Sequence, residues 1–379
     1  MTPRVKRAVS ALIVGSTAVV LFGLLAKRLP AGSRSLETML LFALLIAACL
    51  VLDRLTRFRQ ARLGDQALEL QEAHRLVQLR MGVPEGLIHL EALRHQRRLE
   101  NRLTPYGVTV IWRDYRSASS LLQALNRGEI DFCGGGGTAS IFAQAADLLF
   151  TRVARDKYTS HGGETILVHQ DSEIQNLSDL RGRRVAVEEG STAHYILIRA
   201  LINADVAPSE LDISFEPRRD ALALFVARQV DACSVWVPYA DSPERRQHPG
   251  RSIASLQDLL GDDPSLKLPT LYYAAPELVK DFPAILKLLL EEINEAGTQV
   301  NNDNVAVIDR LQNTLSISSD WMDQLRNLSF ERSVVPLDAR SLAGLQQQAD
   351  VLRQLRLIPK RVDVADGTYS LVMRQNWTF

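Results

Sequence analysis

The chain has 379 residues, and its 44 basic and 44 acidic side chains give a formal net charge of zero. This balance gives no indication of a nucleic-acid partner or an acidic substrate, and 3 cysteines are too few for a disulfide framework. The length is sufficient for a membrane anchor and two lobes, each with its own core.

Two apolar segments near the N-terminus predict a membrane anchor. Residues 8–26 carry no charged side chain and are long enough to span a bilayer, and residues 36–52 contain a shorter apolar run. Basic residues before the first segment are also typical of a signal peptide. However, no convincing cleavage site follows, and the second apolar run comes at once. We therefore predict an anchor over residues 1–53, formed by an uncleaved transmembrane helical hairpin.

The charges that flank the predicted hairpin bear on its orientation. A hairpin puts the N-terminus and the large domain on one side of the membrane. The basic residues on that side are Arg4, Lys6, Arg7, Arg54, Arg57, Arg59 and Arg62, against Lys27, Arg28 and Arg34 in the intervening loop. The positive-inside rule then points the large domain at the cytoplasm. This conflicts with the extracytoplasmic function inferred below, so both orientations stay open.

Strand and helix patterns alternate after a charged, helix-forming linker at residues 54–78. The first half contains the strand LRMGV from Leu79, a helix over residues 86–99, the strand TVIWRDY from Thr109 and a helix over residues 119–126. The second half repeats the alternation. Its segments are VAVEE from Val185, a helix over residues 192–203, DISFE from Asp212, a helix over residues 221–228 and a strand that ends at Trp236. Such alternation predicts α/β lobes.

The two halves also resemble each other in layout. LLQALNRGEIDFC and LALFVARQVDACS both place a helix and a turn before a strand that ends in cysteine. Cys133 and Cys233 are therefore expected in equivalent strands of separate lobes, as buried thiols that do not bridge.

Two glycine-containing junctions between a strand and a helix are candidate anion sites. In FCGGGGTASIF, four glycines precede a predicted helix for which Thr138 or Ser140 is the candidate cap. Glycine lets a backbone approach a ligand closely and point its N–H groups at an anion, although a tight turn with positive φ is the structural alternative. In EEGSTAHY, Gly190 and Ser191 occupy the same kind of junction in the second half.

These segments together resemble the aliphatic-sulfonate, nitrate and taurine family of solute-binding proteins for ABC importers. The resemblance is carried by LLQALNRGEIDF, IFAQAA, the run from ETILVHQDSEIQNLSDL to GSTAHYILIRAL, ARQVDACSVWVPY and LQQQADVLRQLRLIPKRVDV. It covers residues 79–364. The N-terminal hairpin is not part of the usual family pattern.

The resemblance implies a two-lobed periplasmic-binding-protein type II fold, in which the chain crosses between the lobes twice. Lobe 1 is expected over residues 79–165 and 270–379, and lobe 2 over residues 166–269, with crossings near residues 164–169 and 270–275. The implied anion-binding residues are Gly136, Gly137, Thr138, Ser191 and Thr192, with Trp236 as a wall against the organic part of the ligand.

Some positions depart from the family pattern. A polar residue commonly follows the first strand, where this chain has VPE at residues 83–85, and a carboxylate there would oppose an anion. Ala139 and Ser140 replace prolines that usually follow the glycines, and Asn is common in place of Thr192. These differences leave the identity of the ligand open.

The resulting expectation is a binding module without catalysis, cofactor or metal. Its expected partners are a small sulfonate-like anion, the permease and ATPase subunits of an ABC importer, and the inner membrane, with the binding domain outside the cytoplasm. One alternative is a membrane-tethered cytoplasmic sensor, which the charge distribution favours. Another is a sulfinate desulfinase-like enzyme, for which Cys133 is the one nearby candidate nucleophile.

Overall fold

A computed structural model describes residues 75–84, 86–157, 164–236, 250–260, 269–303 and 333–369, together with Val307, Asp309 and Leu311. The predicted membrane hairpin and most of the predicted linker lie outside these residues. Within the described part of the chain, no helix combines the length and the hydropathy needed to cross a bilayer.

Lobe 1 contains a six-stranded sheet with strand order β11-β4-β10-β3-β1-β2. Its strands are β1 (Gln78–Pro84), β2 (Thr109–Tyr115), β3 (Phe132–Gly136), β4 (Thr151–Asp156), β10 (Thr270–Ala274) and β11 (Val334–Val335). Its helices are α1 (Ile88–His95), α2 (Arg98–Leu103), α3 (Ala118–Asn126), α4 (Gly137–Ala145), α8 (Pro276–Asp281), α9 (Pro283–Asn302) and α10 (Ala339–Gln354). Strand β1 pairs in parallel with β2 and β3, whereas β10 runs antiparallel to β3 and β4.

Lobe 2 contains a five-stranded sheet with strand order β7-β6-β8-β5-β9. Its strands are β5 (Glu164–His169), β6 (Arg184–Val187), β7 (Asp212–Phe215), β8 (Ala232–Trp236) and β9 (Gly250–Ser255). Its helices are α5 (Thr192–Asn203), α6 (Arg218–Val226) and α7 (Leu256–Leu260). Strand β6 is parallel to β7 and β8, and β5 is antiparallel to β8 and β9. The predicted two-lobed α/β fold is therefore confirmed.

The predicted elements are largely present, with one helix divided in two. The helix predicted over residues 86–99 is instead α1 and α2, because Arg97 adopts a left-handed conformation with φ of 52° between them. The strand that contains Cys133 also continues further than the sequence indicates, since β3 includes three of the four glycines.

The chain changes sheets twice, between Lys157 and Glu164 and between Leu260 and Pro269. The predicted boundary at residues 165 and 166 is two residues too late, because Glu164 and Thr165 already pair with Trp236 and Val235 in the lobe 2 sheet. The predicted linker likewise extends one residue too far, since β1 begins at Gln78.

Two apolar clusters connect the lobes. In one, Tyr195 and Ile196 of α5 join Ile141 and Leu345 of lobe 1. In the other, Ile88 of α1 and residues 300, 307 and 311 join Phe225 of α6. Val307 and Leu311, which were predicted to belong to lobe 1 alone, thus also pack with lobe 2 side chains. Burial of these clusters favours the arrangement in which the lobes are together.

Candidate functional site

The candidate residues lie at the edges where parallel strands of the two sheets end. Gly136 is the last residue of β3 in lobe 1, Val187 ends β6 in lobe 2, and Trp236 ends β8. Open α/β sheets bind ligands outside the carboxyl ends of their strands. We call the β3–α4 junction (Gly136, Gly137 and Thr138) the first corner, and the β6–α5 junction (Gly190, Ser191 and Thr192) the second corner.

The glycines that lead into the first corner provide close approach. None of the four has a positive φ, so the tight-turn interpretation is wrong. A methyl group on Gly135 would lie 2.9 Å from Ala118 Cβ of α3, and one on Gly137 would lie 3.2 Å from Leu345 Cδ1 of α10. Since real Cβ atoms almost never approach to 2.9 Å, glycine is needed for the packing of α3 on β3.

The first and second corners meet at Gly136. A methyl group on Gly136 would lie 2.8 Å from Thr192 Oγ1, on the opposite lobe. The converse contact occurs at Gly190, where a methyl group would lie 3.4 Å from Phe142 Cγ and 3.3 Å from Ser119 Oγ of lobe 1. Ser119 Oγ also donates a hydrogen bond of 3.4 Å to the Glu189 carbonyl. Each lobe therefore presents a glycine to side chains of the other.

The second corner is organised by a side-chain cap. Gly190 has a φ of 69°, and Ser191 is the N-cap of α5, with Oγ accepting a hydrogen bond from His194 N at 3.1 Å. The Ser191 hydroxyl donates to the Glu188 carbonyl, and so does the Ser191 N–H. Both donors of Ser191 are therefore engaged within lobe 2. A ligand at this corner can still be met by Thr192 and by the backbone N–H groups at the start of α5.

The first corner has no such cap, contrary to the prediction for Thr138 or Ser140. Gly136 occupies the N-cap position of α4. The fully buried Thr138 hydroxyl donates to Gln348 Oε1 at 2.8 Å, and the Ser140 hydroxyl donates to the Gly137 carbonyl at 2.7 Å. What Gly137 and Thr138 can present to an anion is therefore their backbone N–H groups, which have no intrahelical acceptor in the first turn of a helix.

Trp236 lies beside a charged group at the edge of the lobe 2 sheet. It pairs with Glu164 in register and packs partly against the apolar cluster that contains Phe225. Burial raises the pKa of Glu164 to about 7, and the Arg218 charge opposes this rise. Arg218 Nε also donates to the buried Glu188 carboxylate at 3.1 Å. Trp236 thus has both apolar and polar neighbours.

His194 is a buried neutral side chain at the second corner. Its pKa falls to about 4 because burial disfavours the charged form, and its Nδ1 accepts the Gly190 N–H at 3.2 Å. The ring lies 5.8 Å from Phe142 of lobe 1 and 5.1 Å from Phe215 of lobe 2, between centroids. It contributes apolar contact between the lobes.

The cysteines have the character of core residues. Cys133 and Cys233 are both buried free thiols in the equivalent strands β3 and β8. Burial raises the pKa of both thiols, that of Cys233 to about 12. A nucleophilic role needs a thiolate, so neither cysteine is suited to catalysis. Among the described residues, no group of three or more potential ligands is arranged to hold a metal ion.

Two residues that support the first corner were not identified from the sequence. The Tyr273 hydroxyl donates to the Gly136 carbonyl at 3.0 Å, and Arg152 bonds to Ser140 on α4. Arg152 is a charged residue in the strand TRVARD, a residue type that is usually exposed, although it is fully buried here together with Val153 and Ala154. No pattern along the chain distinguishes it.

Two lobes joined by two crossings, with helix N-termini facing each other at the strand ends, define the class of two-lobed solute-binding proteins. The family described as "ABC transporter, phosphonate, periplasmic substrate-binding protein" matches residues 95–256. The alkanesulfonate-binding protein SsuA of Xanthomonas axonopodis pv. citri, solved bound to MOPS, superposes with a TM-score of 0.70 and 27% identity, over 77% of this chain and 98% of that one.

Sequence similarity to curated proteins identifies the family. The putative aliphatic sulfonates-binding protein of Escherichia coli K12 is 30% identical over 292 residues, which is 76% of this chain and 86% of that protein. The taurine-binding periplasmic protein of the same organism is 27% identical over 139 residues, covering 37% of this chain and 42% of that protein. The chain belongs to the aliphatic-sulfonate-binding family of solute-binding proteins of ABC importers, and this is a family of binding proteins, not of enzymes.

Proposed function

We propose that this protein captures an aliphatic sulfonate outside the cytoplasm and delivers it to the permease and ATPase subunits of an ABC importer. The observation that carries the proposal is the meeting of the two corners at Gly136 and Thr192 in a member of this family. Closing two lobes around a ligand gives a conformational signal that a permease can recognise.

The proposed ligand contacts follow from the donors that each corner leaves available. A sulfonate has three oxygens and a permanent negative charge, which suits N–H groups at the positive ends of helices. We assign these contacts to the amides of Gly136, Gly137 and Thr138 at the first corner, and to the amide and hydroxyl of Thr192 at the second. Ser191 holds the second corner in shape through its cap.

Trp236 is the proposed wall for the organic part of the ligand. It stands at the end of β8, where its partly exposed indole offers a large apolar surface. A substituent of the sulfonate that reaches this ring gains apolar contact, so longer alkyl chains are expected to bind more tightly than methanesulfonate.

We further propose that residues 8–26 and 36–52 anchor the protein in the inner membrane and that residues 54–78 form the linker. Tethering raises the local concentration of the binding domain near the permease. The basic residues around the hairpin instead favour a domain in the cytoplasm, which would make the protein a membrane-tethered sensor.

The ligand is tested by thermal unfolding of the full-length chain with taurine, a series of alkanesulfonates, nitrate, bicarbonate and a thiamine-precursor pyrimidine. A specific ligand stabilises the folded state by mass action, so the unfolding midpoint must rise with its concentration. We expect this rise with alkanesulfonates. A midpoint that rises with nitrate or the pyrimidine alone would assign another ligand class. The same measurement on Trp236→Ala tests whether Trp236 contacts the organic part of the ligand.

The location is tested separately, by fusing a reporter that is active only outside the cytoplasm after Phe379. Reporter activity supports capture for import. An inactive fusion, with full activity of a matched reporter that works only in the cytoplasm, would instead support the sensor.

A further inference from the structure

Arg152 is a buried cation without a buried anion beside it. The side chain is fully buried in β4, and none of the described residues forms an ion pair with it. Burial lowers the pKa of Arg152 only to about 10, so the guanidinium stays charged at neutral pH. Burying an unpaired charge costs folding free energy, which makes a fully buried and unpaired arginine unusual.

The guanidinium is held by neutral oxygens that belong mainly to α4. Its Nε donates to Ser140 Oγ at 2.9 Å, and one terminal nitrogen donates to the Ser140 carbonyl at 3.0 Å and to Gln144 Oε1 at 2.9 Å. The other terminal nitrogen donates to the Val364 carbonyl at 3.2 Å. The Phe150 ring centroid lies 5.1 Å away. These contacts give each of the three guanidinium nitrogens at least one acceptor but leave the charge of Arg152 uncompensated.

Two hydroxyl groups connect this charge to the first corner. The Ser140 hydroxyl, which accepts from Arg152, donates to the Gly137 carbonyl at 2.7 Å. The Tyr273 hydroxyl, which also interacts electrostatically with Arg152, donates to the Gly136 carbonyl at 3.0 Å. The Gly136 carbonyl belongs to the same peptide unit as the Gly137 N–H, and the Gly137 carbonyl to the same unit as the Thr138 N–H. Those are two of the three amides assigned to the anion at the first corner.

Hydrogen bonds in a chain polarise one another, most of all inside a medium of low dielectric constant. A hydroxyl that donates to a peptide carbonyl makes the N–H of the same peptide unit a better donor, and a cation behind the hydroxyl increases this effect. An anion at the first corner would also interact directly with the buried charge, which water screens little.

We propose that Arg152 is a positioning residue that strengthens the anion-binding amides of the first corner through Ser140 and Tyr273, and so makes the site prefer a fully ionised ligand over a neutral one of the same shape. This inference rests on the proposed function and defines its ligand class as a permanently ionised oxyanion.

The test measures the dissociation constants of ethanesulfonate and its neutral isostere ethanesulfonamide for the full-length chain by titration calorimetry. Arg152→Met is expected to weaken ethanesulfonate binding by about tenfold while changing ethanesulfonamide binding less than about twofold. A loss of structure alone would weaken both probes equally. Arg152→Lys, which keeps the charge, is expected to lose less than Arg152→Met.

Variants that retain Arg152 keep the test decisive if Arg152→Met does not fold. The double variant Ser140→Ala with Tyr273→Phe removes both hydroxyls and should weaken ethanesulfonate several-fold. Gln144→Leu removes a neutral hydrogen-bond partner of the same guanidinium that is not part of the connection through Ser140 and Tyr273. This variant should bind ethanesulfonate as tightly as the parent protein. If the double variant binds ethanesulfonate as tightly as Gln144→Leu, the inference is wrong. If the parent binds no sulfonate, the proposed function fails instead.

Discussion

At the second corner Gly190 has a φ of 69°, whereas at the first corner none of the four glycines at residues 134–137 has a positive φ. The second corner also has a capping serine, while α4 of the first corner begins at Gly136 without a side-chain cap. Both corners nevertheless place a helix N-terminus at the end of a parallel strand. Glycine at such a junction can therefore allow either a left-handed backbone conformation, as at Gly190, or the close approach of a neighbouring group, as at Gly135.

Gly135→Ala should give the largest effect, because its new Cβ would lie 2.9 Å from Ala118 Cβ. We expect a loss of about 3 kcal/mol in the free energy of unfolding, which is typical of overpacking. Adding Ala118→Gly should restore most of it, as measured by urea denaturation.

Gly190→Ala provides the contrast for that experiment. Its expected cost of about 1–2 kcal/mol arises from the left-handed backbone conformation, which removing a neighbouring atom does not relieve. If Ala118→Gly fails to rescue Gly135→Ala, or if Ser119→Gly rescues Gly190→Ala fully, the distinction between the two corners is lost.

A buried carboxyl group of lobe 2 should also make the stability of the protein depend on pH. In lobe 2, burial raises the folded-state pKa of Glu164 from 4.5 to about 7. The folded state then binds more protons than the unfolded state between these values, so the unfolding free energy should fall as pH rises from about 4.5 to 7 and stay lower above it. The expected loss in unfolding free energy is about 2 kcal/mol. This is less than the whole pKa shift would give, because the Glu164 side chain is partly exposed and solvent screens its charge.

Glu164→Gln is the control for this pH response. It should remove that part of the pH dependence and leave the protein more stable than the parent at pH 8 in chemical denaturation. Equal slopes of stability against pH in the parent and the variant would contradict the prediction.

Gly136→Ala tests the contact between the corners. The added methyl group would lie 2.8 Å from Thr192 Oγ1, so either the Thr192 side chain must rotate or the lobes must separate slightly. We expect about tenfold weaker sulfonate binding, equivalent to about 1.4 kcal/mol, by titration calorimetry.

Closure of the two lobes can be measured by small-angle X-ray scattering of the full-length chain. Gly136→Ala should increase the radius of gyration in the presence of ligand, and Thr192→Ala in the same chain should reverse the increase. An unchanged affinity and radius for Gly136→Ala would mean that the corners do not determine closure.

Ser191→Ala should give the smallest effect. It removes the cap of α5, which costs about 1 kcal/mol of stability, with weaker binding only as far as the start of α5 loses order. Thermal unfolding measures the loss, and Ser191→Asp, which retains a capping oxygen, should recover it. A loss in binding far larger than the loss in stability would instead make Ser191 a direct ligand contact.

Local pattern was sufficient to predict most of the secondary structure. Strand TVIWRDY was confirmed as β2, and the helix predicted over residues 192–203 was confirmed as α5. The division of the helix at residues 86–99 was not predictable in this way, because Arg97 is an ordinary helix former and yet adopts a left-handed conformation. The site was predictable only as a pair of corners.

Residue type and short-range spacing were enough to predict the alternation of strands and helices, and the resemblance to a known family indicated the two-lobed fold. The three-dimensional structure was needed to show that Gly136 meets Thr192, that the Thr138 hydroxyl bonds to Gln348, and that Arg152 is buried under α4. Each of these contacts depends on how whole helices and strands pack together, and packing leaves no periodic pattern along the chain.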